Sequence, residues 1–244
     1  MDYNESKSEK EKNKMSNDLK EGFFRFLQGK SKEDPSILTK AAAGECFQLL
    51  KKACTNEKNQ IYGDMMLYYA SGFAGIACLK AALDNAPKLM LSSENASEYM
   101  GLYKIETDTG IFYIGEAINE YLISRDNSVW NLAQEGFLKN HKKDTIPDIE
   151  QILSKNAKNF GNKEYRIWNN MHDPYTENKM AQTAYESYLK HLAPYKIGAE
   201  RMPEVFGIVI SEIISQSANI FPKELNCLEM VMETVSFYAH MDCK

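Results

Sequence analysis

The amino-acid sequence predicts a mostly α-helical single domain of about nine helices around a buried central helix, with one small β-hairpin. Apolar residues recur at the helical period from Asn17 to the C-terminus, which indicates amphipathic helices packed on one another. Residues 65–83 are apolar on nearly every side and rich in Ala, Gly and Ser, which is typical of a helix buried all round. The short alternating segments between Tyr103 and Ile114 predict the hairpin.

The central helix is expected over residues 61–85, where small side chains allow neighbouring backbones to approach closely. Pro87 is expected to end it, because proline lacks the backbone N–H that continues a helix. A membrane span is the alternative for this segment. Lys80 interrupts the apolar run and Asp84 follows it, which leaves less than the ~20 apolar residues that a span needs. We therefore expect a core helix and no membrane contact.

Prolines and capping residues predict where the surrounding helices begin. Asp34 and Pro35 are typical of a cap followed by the first helical position, and the same pair of residue types recurs at Asp173 and Pro174. Pro203 is expected to open a very apolar helix.

The hairpin is predicted from two short strands. Tyr103 and Ile105 alternate with charged residues, and an apolar strand ends at Ile114. We expect residues 107–110 to form a four-residue connection. A lone hairpin is marginally stable in water, so it should lie on the helices.

Composition limits the function classes. The net charge of −5 argues against nucleic acid or an anionic membrane as the main partner and is compatible with a basic protein. The cysteine count of five is odd and no secretory signal is seen, so reduced thiols in a cytoplasm are expected. Residues 1–16 are expected to be a flexible charged tail, and 17–244 a single helical domain because no Gly/Ser linker divides it.

No catalytic or metal motif of any specificity occurs, and we expect no metal and no cofactor. His172 and Asp173 lie at a predicted helix break. A carboxylate beside an imidazole suits general base catalysis, but the same pair is common at helix ends, where Asp caps the next helix.

The second candidate site is a group of acidic residues. Glu116 and Glu120 are four residues apart on a predicted helix, close in sequence to Glu106 and Asp108 of the hairpin. Two carboxylates can bind a metal or act as acid and base, and they can equally belong to a solvated helix face or to a surface that recognises a protein.

The order of elements resembles that of large all-helical immunity proteins of bacterial polymorphic-toxin systems. A small-residue helix (YYASGFAGIACLKAAL) precedes the hairpin (YKIETDTGIFYI), a helix ending in ISRD follows, and a late helix (TENKMAQTAYESYLKHLAPY) has a histidine near its end. Arg125, Asp126 and His191 would correspond to family positions. Where the family has a tryptophan in the helix after the hairpin, this chain has Tyr121, or Trp130 further on. The resemblance implies a cytoplasmic binder of a cognate toxin, without catalysis of its own.

The leading hypothesis is therefore a non-catalytic protein-binding protein of immunity or regulatory type. An enzyme that uses His172 or the Glu116/Glu120 pair in a helical cavity is the alternative, and a helical-repeat scaffold is a further one. We expect the binding residues to be Glu106, Asp108, Glu116, Glu120, Arg125, Asp126 and Trp130, with the tryptophan as an aromatic anchor.

Overall fold

The computed structural model describes residues 21, 23–31, 34, 36–90, 102–168, 170–216 and 226–242. The predicted tail, residues 1–16, lies outside this part of the chain. The described residues contain eight α-helices and one small three-stranded antiparallel sheet, so the predicted fold class is confirmed.

The helices are α1 (Ser36–Ala53), α2 (Gly63–Met90), α3 (Glu116–Asn119), α4 (Val129–Leu138), α5 (Ile149–Asn159), α6 (Pro174–Leu192), α7 (Met202–Gln216) and α8 (Cys227–His240). The strands are β1 (Tyr103–Thr107), β2 (Gly110–Ile114) and β3 (Met241–Asp242). A π-helical turn, Glu120–Ser124, follows α3 directly, and residues 23–31 are also helical.

Helix α2 is the central element, packed by α8, α7 and α6. Ala74 and Ala77 are completely buried, which confirms the core prediction for this helix. The expected end before Pro87 is wrong, because α2 continues to Met90. Pro87 lies three residues before the end of the helix, so the hydrogen bond that its missing N–H would make is lost close to the C-terminus.

Close backbone contact joins α2 to α8 and α4 to α7. A Cβ atom on Gly75 would overlap the carbonyl oxygen of Val235 and lie 2.8 Å from the backbone nitrogen of Ala239. Gly136 of α4 approaches the backbone of Ser211 in α7 in the same way, with its Cβ position 2.7 Å from the serine Cα. These glycines are needed because any side chain would push the two helices apart.

Side-chain caps fix the starts of the later helices. Ser128, Asp148, Asp173 and Asn226 each accept a hydrogen bond from a backbone N–H in the first turn of α4, α5, α6 and α8. Such a cap satisfies donors that have no partner inside the helix and stabilises it by ~1 kcal/mol.

The sheet consists of the predicted hairpin and a third strand that the sequence did not predict. Strands β1 and β2 pair in the register Tyr103↔Ile114 to Thr107↔Gly110, so the connection has two residues rather than the four expected. Strand β3 follows α8 without a break and pairs with β2 through Phe112↔Met241. Phe112 is fully buried and stacks on Phe160 at 4.7 Å between ring centroids, so the hairpin lies on the helices as expected.

Among the described residues, one helical segment, Gly63–Asn85, is long and apolar enough to cross a membrane. Within the most apolar window of that segment, 83% of the residues are buried inside the protein. This burial is typical of the core helix of a soluble protein.

We predict that Gly75→Leu lowers the free energy of unfolding by about 1–3 kcal/mol or more, because the side chain overpacks the α2–α8 contact. The midpoint of urea unfolding measures this loss of stability. Gly44→Leu is the matched control: Gly44 is also helical, but no atom lies within 4 Å of its Cβ position. An unchanged midpoint for Gly75→Leu would show that α2 and α8 do not pack as described.

His240 predicts a pH dependence of stability. Its ring is buried in the core with Nδ1 2.6 Å from the carbonyl oxygen of Ser236, and burial lowers its pKa. The folded protein therefore holds this imidazole neutral while the unfolded chain takes up a proton below about pH 6.5. The stability that depends on neutral His240 is present above that pH and is lost as the pH falls towards the depressed pKa.

We expect His240→Phe to reduce the loss of unfolding free energy between about pH 7.5 and about pH 5, measured by urea unfolding. His191→Gln changes an exposed histidine and serves as the control. Equal pH dependence in wild type and His240→Phe would contradict this account.

Candidate functional site

Two surfaces carry the residues that the sequence singled out. The first, which we call the hairpin surface, consists of the exposed side chains of Glu106, Asp108, Glu116, Glu120 and Asp126 together with half-exposed Arg125. Its residues come from β1, the hairpin turn, α3 and the π-helical turn, and Asp108 in the turn lies at the other end of the strand pair from Glu116, which follows β2.

Ion pairs neutralise two of these acids. Glu106 lies 2.6 Å from Lys104, and Glu120 accepts hydrogen bonds from Arg125 at 2.5 and 2.9 Å. The guanidinium of Arg125 also lies 4.1 Å from the centre of the Tyr121 ring. Arg125 is thus held in place by neighbours on its own turn.

The other three acids, Asp108, Glu116 and Asp126, are exposed. Among the described residues, no lysine or arginine nitrogen lies within ion-pair distance of their carboxylates. The segment from 102 to 130 contains five acids and two bases, so more than half of the chain's net charge of −5 belongs to it.

The backbone N–H of Glu120 donates to the Glu116 carbonyl, so the two acids are one α-helical turn apart. The backbone changes from α-helical to π-helical after Asn119, and the Glu120 carboxylate pairs with Arg125. The described residues contain no group of three His, Cys, Asp or Glu side chains arranged to hold a metal. Trp130 is only 8% exposed and packs in the core.

The second surface is a cleft of about 480 Å³ between the end of α1, the first half of α2, and α6. Its lining is Leu50, Ala53, Met65, Tyr68, Tyr69, Gly72, Phe73, His172, Glu177, Met180, Ala181, Ala184, Tyr188 and Tyr238. Met65, Tyr69 and Met180 are exposed at its mouth, while Phe73 and Tyr238 are buried at its floor.

A hydrogen-bonded network forms the polar end of this cleft. The Tyr68 hydroxyl donates to Glu177 Oε2 at 2.6 Å and lies 3.1 Å from the hydroxyl of Tyr238. The Nδ1 atom of His172 lies 3.2 Å from both oxygens of Glu177, and its ring stacks on Tyr68 at 3.8 Å between centroids. Burial, together with Tyr238 and Glu177, raises the pKa of Tyr68, so its hydroxyl stays protonated and donates.

A buried carboxylate positions the loop that carries His172. Glu233 of α8 is 5% exposed and accepts hydrogen bonds from the backbone nitrogen of Trp168 at 2.9 Å, from the Tyr165 hydroxyl at 3.0 Å and from Lys155 Nζ at 2.7 Å. Trp168 has a φ of 54°, in the left-handed region that bulky residues rarely adopt. Its indole donates to the Met230 carbonyl at 3.0 Å, and these bonds together hold the strained backbone.

Of the two interpretations of His172 and Asp173, the structure confirms the helix-end one for Asp173, which caps α6 and also pairs with Arg166 at 3.2 Å. The carboxylate beside the imidazole is Glu177, one turn into α6. A carboxylate on Nδ1 can orient a histidine ring for proton transfer at its other nitrogen.

The cleft is better suited to binding than to nucleophilic catalysis. Its lining contains no Ser, Thr, Cys or Lys side chain. The described cysteines are all buried, and burial raises the pKa of Cys54 and Cys227 to about 11, which keeps these thiols protonated.

Sequence reasoning missed Tyr68, Glu177 and Tyr238. Tyr68 and Tyr238 carry one partial signal, because a tyrosine within an apolar buried helix needs a partner for its hydroxyl. Glu177 carries no such sequence signal, since an acid in the first turn of a helix is commonplace.

No protein family matches this chain, and neither a curated protein nor a solved structure matches it.

We predict that Glu233→Ala lowers the free energy of unfolding by about 2–4 kcal/mol, because it removes the buried acceptor of the Trp168 backbone N–H and the partner of Lys155, while the Tyr165 hydroxyl keeps Asn156 Oδ1 at 2.6 Å. Urea unfolding measures this loss. Glu229→Ala, which removes an exposed carboxylate one turn earlier on α8, is the control and should change stability by less than about 1 kcal/mol. Equal effects of the two substitutions would refute the anchoring role of Glu233.

Proposed function

We propose that this chain is a non-catalytic, protein-binding protein of immunity or regulatory type, and that its partner docks on the hairpin surface. The observation that carries this proposal is the set of exposed carboxylates of Asp108, Glu116 and Asp126 in one stretch of the chain, for which the described residues provide no ion-pair partner. A surface of one sign accelerates association with a partner of the opposite sign and fixes its orientation. The partner is therefore a protein with a basic face.

The π-helical turn supports the same location. One-turn π-helical segments are rare and are found frequently at functional sites. Here the turn presents Arg125, which its ion pair with Glu120 and its contact with Tyr121 hold in a fixed position. A fixed guanidinium within an acidic surface gives a partner's carboxylate a specific contact and so adds selectivity.

A bacterial toxin in the cytoplasm is the partner that the resemblance to immunity proteins implies. In that case the chain neutralises the toxin by covering its basic surface. The burial of Trp130 assigns it to the core beneath this surface, so affinity depends on the charged residues and not on a tryptophan anchor.

We predict that the triple variant Asp108→Lys, Glu116→Lys, Asp126→Lys binds the partner at least about tenfold more weakly and with a flatter salt dependence, because it removes the long-range attraction. Partners are first captured from the source cell with the wild-type protein and identified. The purified partner is then titrated at two salt concentrations.

The matched control is the triple variant Glu57→Lys, Glu164→Lys, Glu229→Lys, which makes the same charge change at exposed positions outside the hairpin surface. If both triple variants lose affinity equally, only net charge matters. If neither does, the hairpin surface is a solvated face and the proposal is refuted.

The second candidate is an enzyme that uses His172. The observation that favours it is the position of this imidazole in an apolar cleft with Glu177 on its Nδ1 atom. Since the described lining contains no Ser, Thr, Cys or Lys side chain, the reaction would be a proton transfer on a bound substrate with His172 as the base. Turnover of a small molecule that is lost in His172→Gln would favour this candidate over the first.

A further inference from the structure

We propose that the cleft between α1, α2 and α6 is a binding site for a small organic cation, a molecule with an aromatic or branched apolar body and a protonated amine. This inference goes beyond the proposed function, because no residue of the hairpin surface lines the cleft. Either proposal can therefore fail without the other.

Size and shape suit a small molecule. The volume of about 480 Å³ lies within the range of roughly 300–1,000 Å³ that is usual for small-ligand sites. The cleft has a mouth of exposed apolar side chains and a buried floor, so a ligand that enters is removed from water on most sides.

The side chains that line the cleft favour a ligand whose larger part is apolar. Five Tyr and Phe rings, those of Tyr68, Tyr69, Phe73, Tyr188 and Tyr238, line the cleft, and the rings of Phe73 and Tyr188 lie 4.9 Å apart. Met65 and Met180 add flexible, polarisable side chains at the mouth, which adapt to the shape of a bound ring.

The charges select a cation. Glu177 is the sole acid in the lining, and neither lysine nor arginine is present there. Its carboxylate accepts from Tyr68 and contacts His172, while its side chain remains 28% exposed. A carboxylate has about four lone-pair sites, so it retains room for one more donor.

An ammonium group that reaches Glu177 also lies among aromatic faces, which attract cations. The same carboxylate repels an anion, and the one basic side chain in the described lining, His172, already contacts that carboxylate. A neutral molecule of the same shape gains only the apolar contacts.

The test uses three probes with one apolar body and different head groups: phenylbutylammonium, phenylbutyrate and phenylbutanol. Each is titrated calorimetrically into the full chain at about pH 8, above the ordinary titration range of imidazole. We expect the cation to bind at least about tenfold more tightly than either other probe, the ratio expected for one charge-assisted contact.

Two substitutions locate the site. Glu177→Gln keeps an acceptor for Tyr68 but removes the charge, and should bring the affinity for the cation to that for the alcohol. Gly72→Leu fills the cleft and should abolish binding of all three probes. A Cβ at Gly72 would meet only the Tyr238 ring, at 3.6 Å, so the substitution is compatible with the fold.

Gly44→Leu is the control for a leucine on an exposed helix and should bind like wild type. Tighter or equal binding of phenylbutyrate, unchanged binding of the cation by Gly72→Leu, or no binding of any probe by the folded wild-type protein would each overturn the proposal.

Discussion

The backbone contact between α2 and α8 at Gly75 is the constraint on which the rest of the structure depends. It requires a residue without a side chain, because the Cβ position is occupied by the backbone of Val235 and Ala239. The contact allows two largely buried helices to share one interface, and α7 and α6 then pack around α2. The same interface brings the Tyr68 and Tyr238 hydroxyls to 3.1 Å, which creates the polar end of the cleft. Gly75 is therefore required both for the α2–α8 contact in the core and for the position of the polar end of the cleft.

Helix α8 contributes the second constraint through Glu233. A buried carboxylate is costly unless donors surround it, and here the donors come from α5 and from the loop before α6. The backbone of Trp168 is held in a left-handed conformation as a result. His172 follows four residues later, closed by the backbone pairing of Ile167 with His172. The position of the imidazole in the cleft therefore depends on an acid in the core helix and not on its neighbour Asp173.

The elements could be predicted from the sequence where local rules decide them. Small, apolar residues such as Ala74 and Ala77 identified the core helix, and Asp173 with Pro174 marked the start of α6 because capping is a local interaction. Strand β3 could not be predicted, since its two residues are too few to display a period of two. Helix α2 continues past Pro87 to Met90, so the helix-breaking effect of proline did not set its end.

The two candidate sites also differ in how far local sequence rules predict them. The acids of the hairpin surface are near one another in sequence, so the stretch that carries them could be identified, whereas the ion pair of Glu120 with Arg125 and the burial of Trp130 could not be predicted. The cleft joins Tyr68 to residues 109 and 170 positions away. Contacts at such separations depend on how helices pack, and no spacing rule within one sequence reveals them.

Helix α8 also connects the two surfaces. Tyr238 lines the cleft, and Met241 begins β3 three residues later, paired with the hairpin strand β2. Coupling between the surfaces would require an element with two alternative arrangements. Residues 227–240 are largely buried, and α8 is fixed against α2 at Gly75 and against α5 through Glu233. The two surfaces therefore share a core helix that is packed along its length, and no described residue lines both of them.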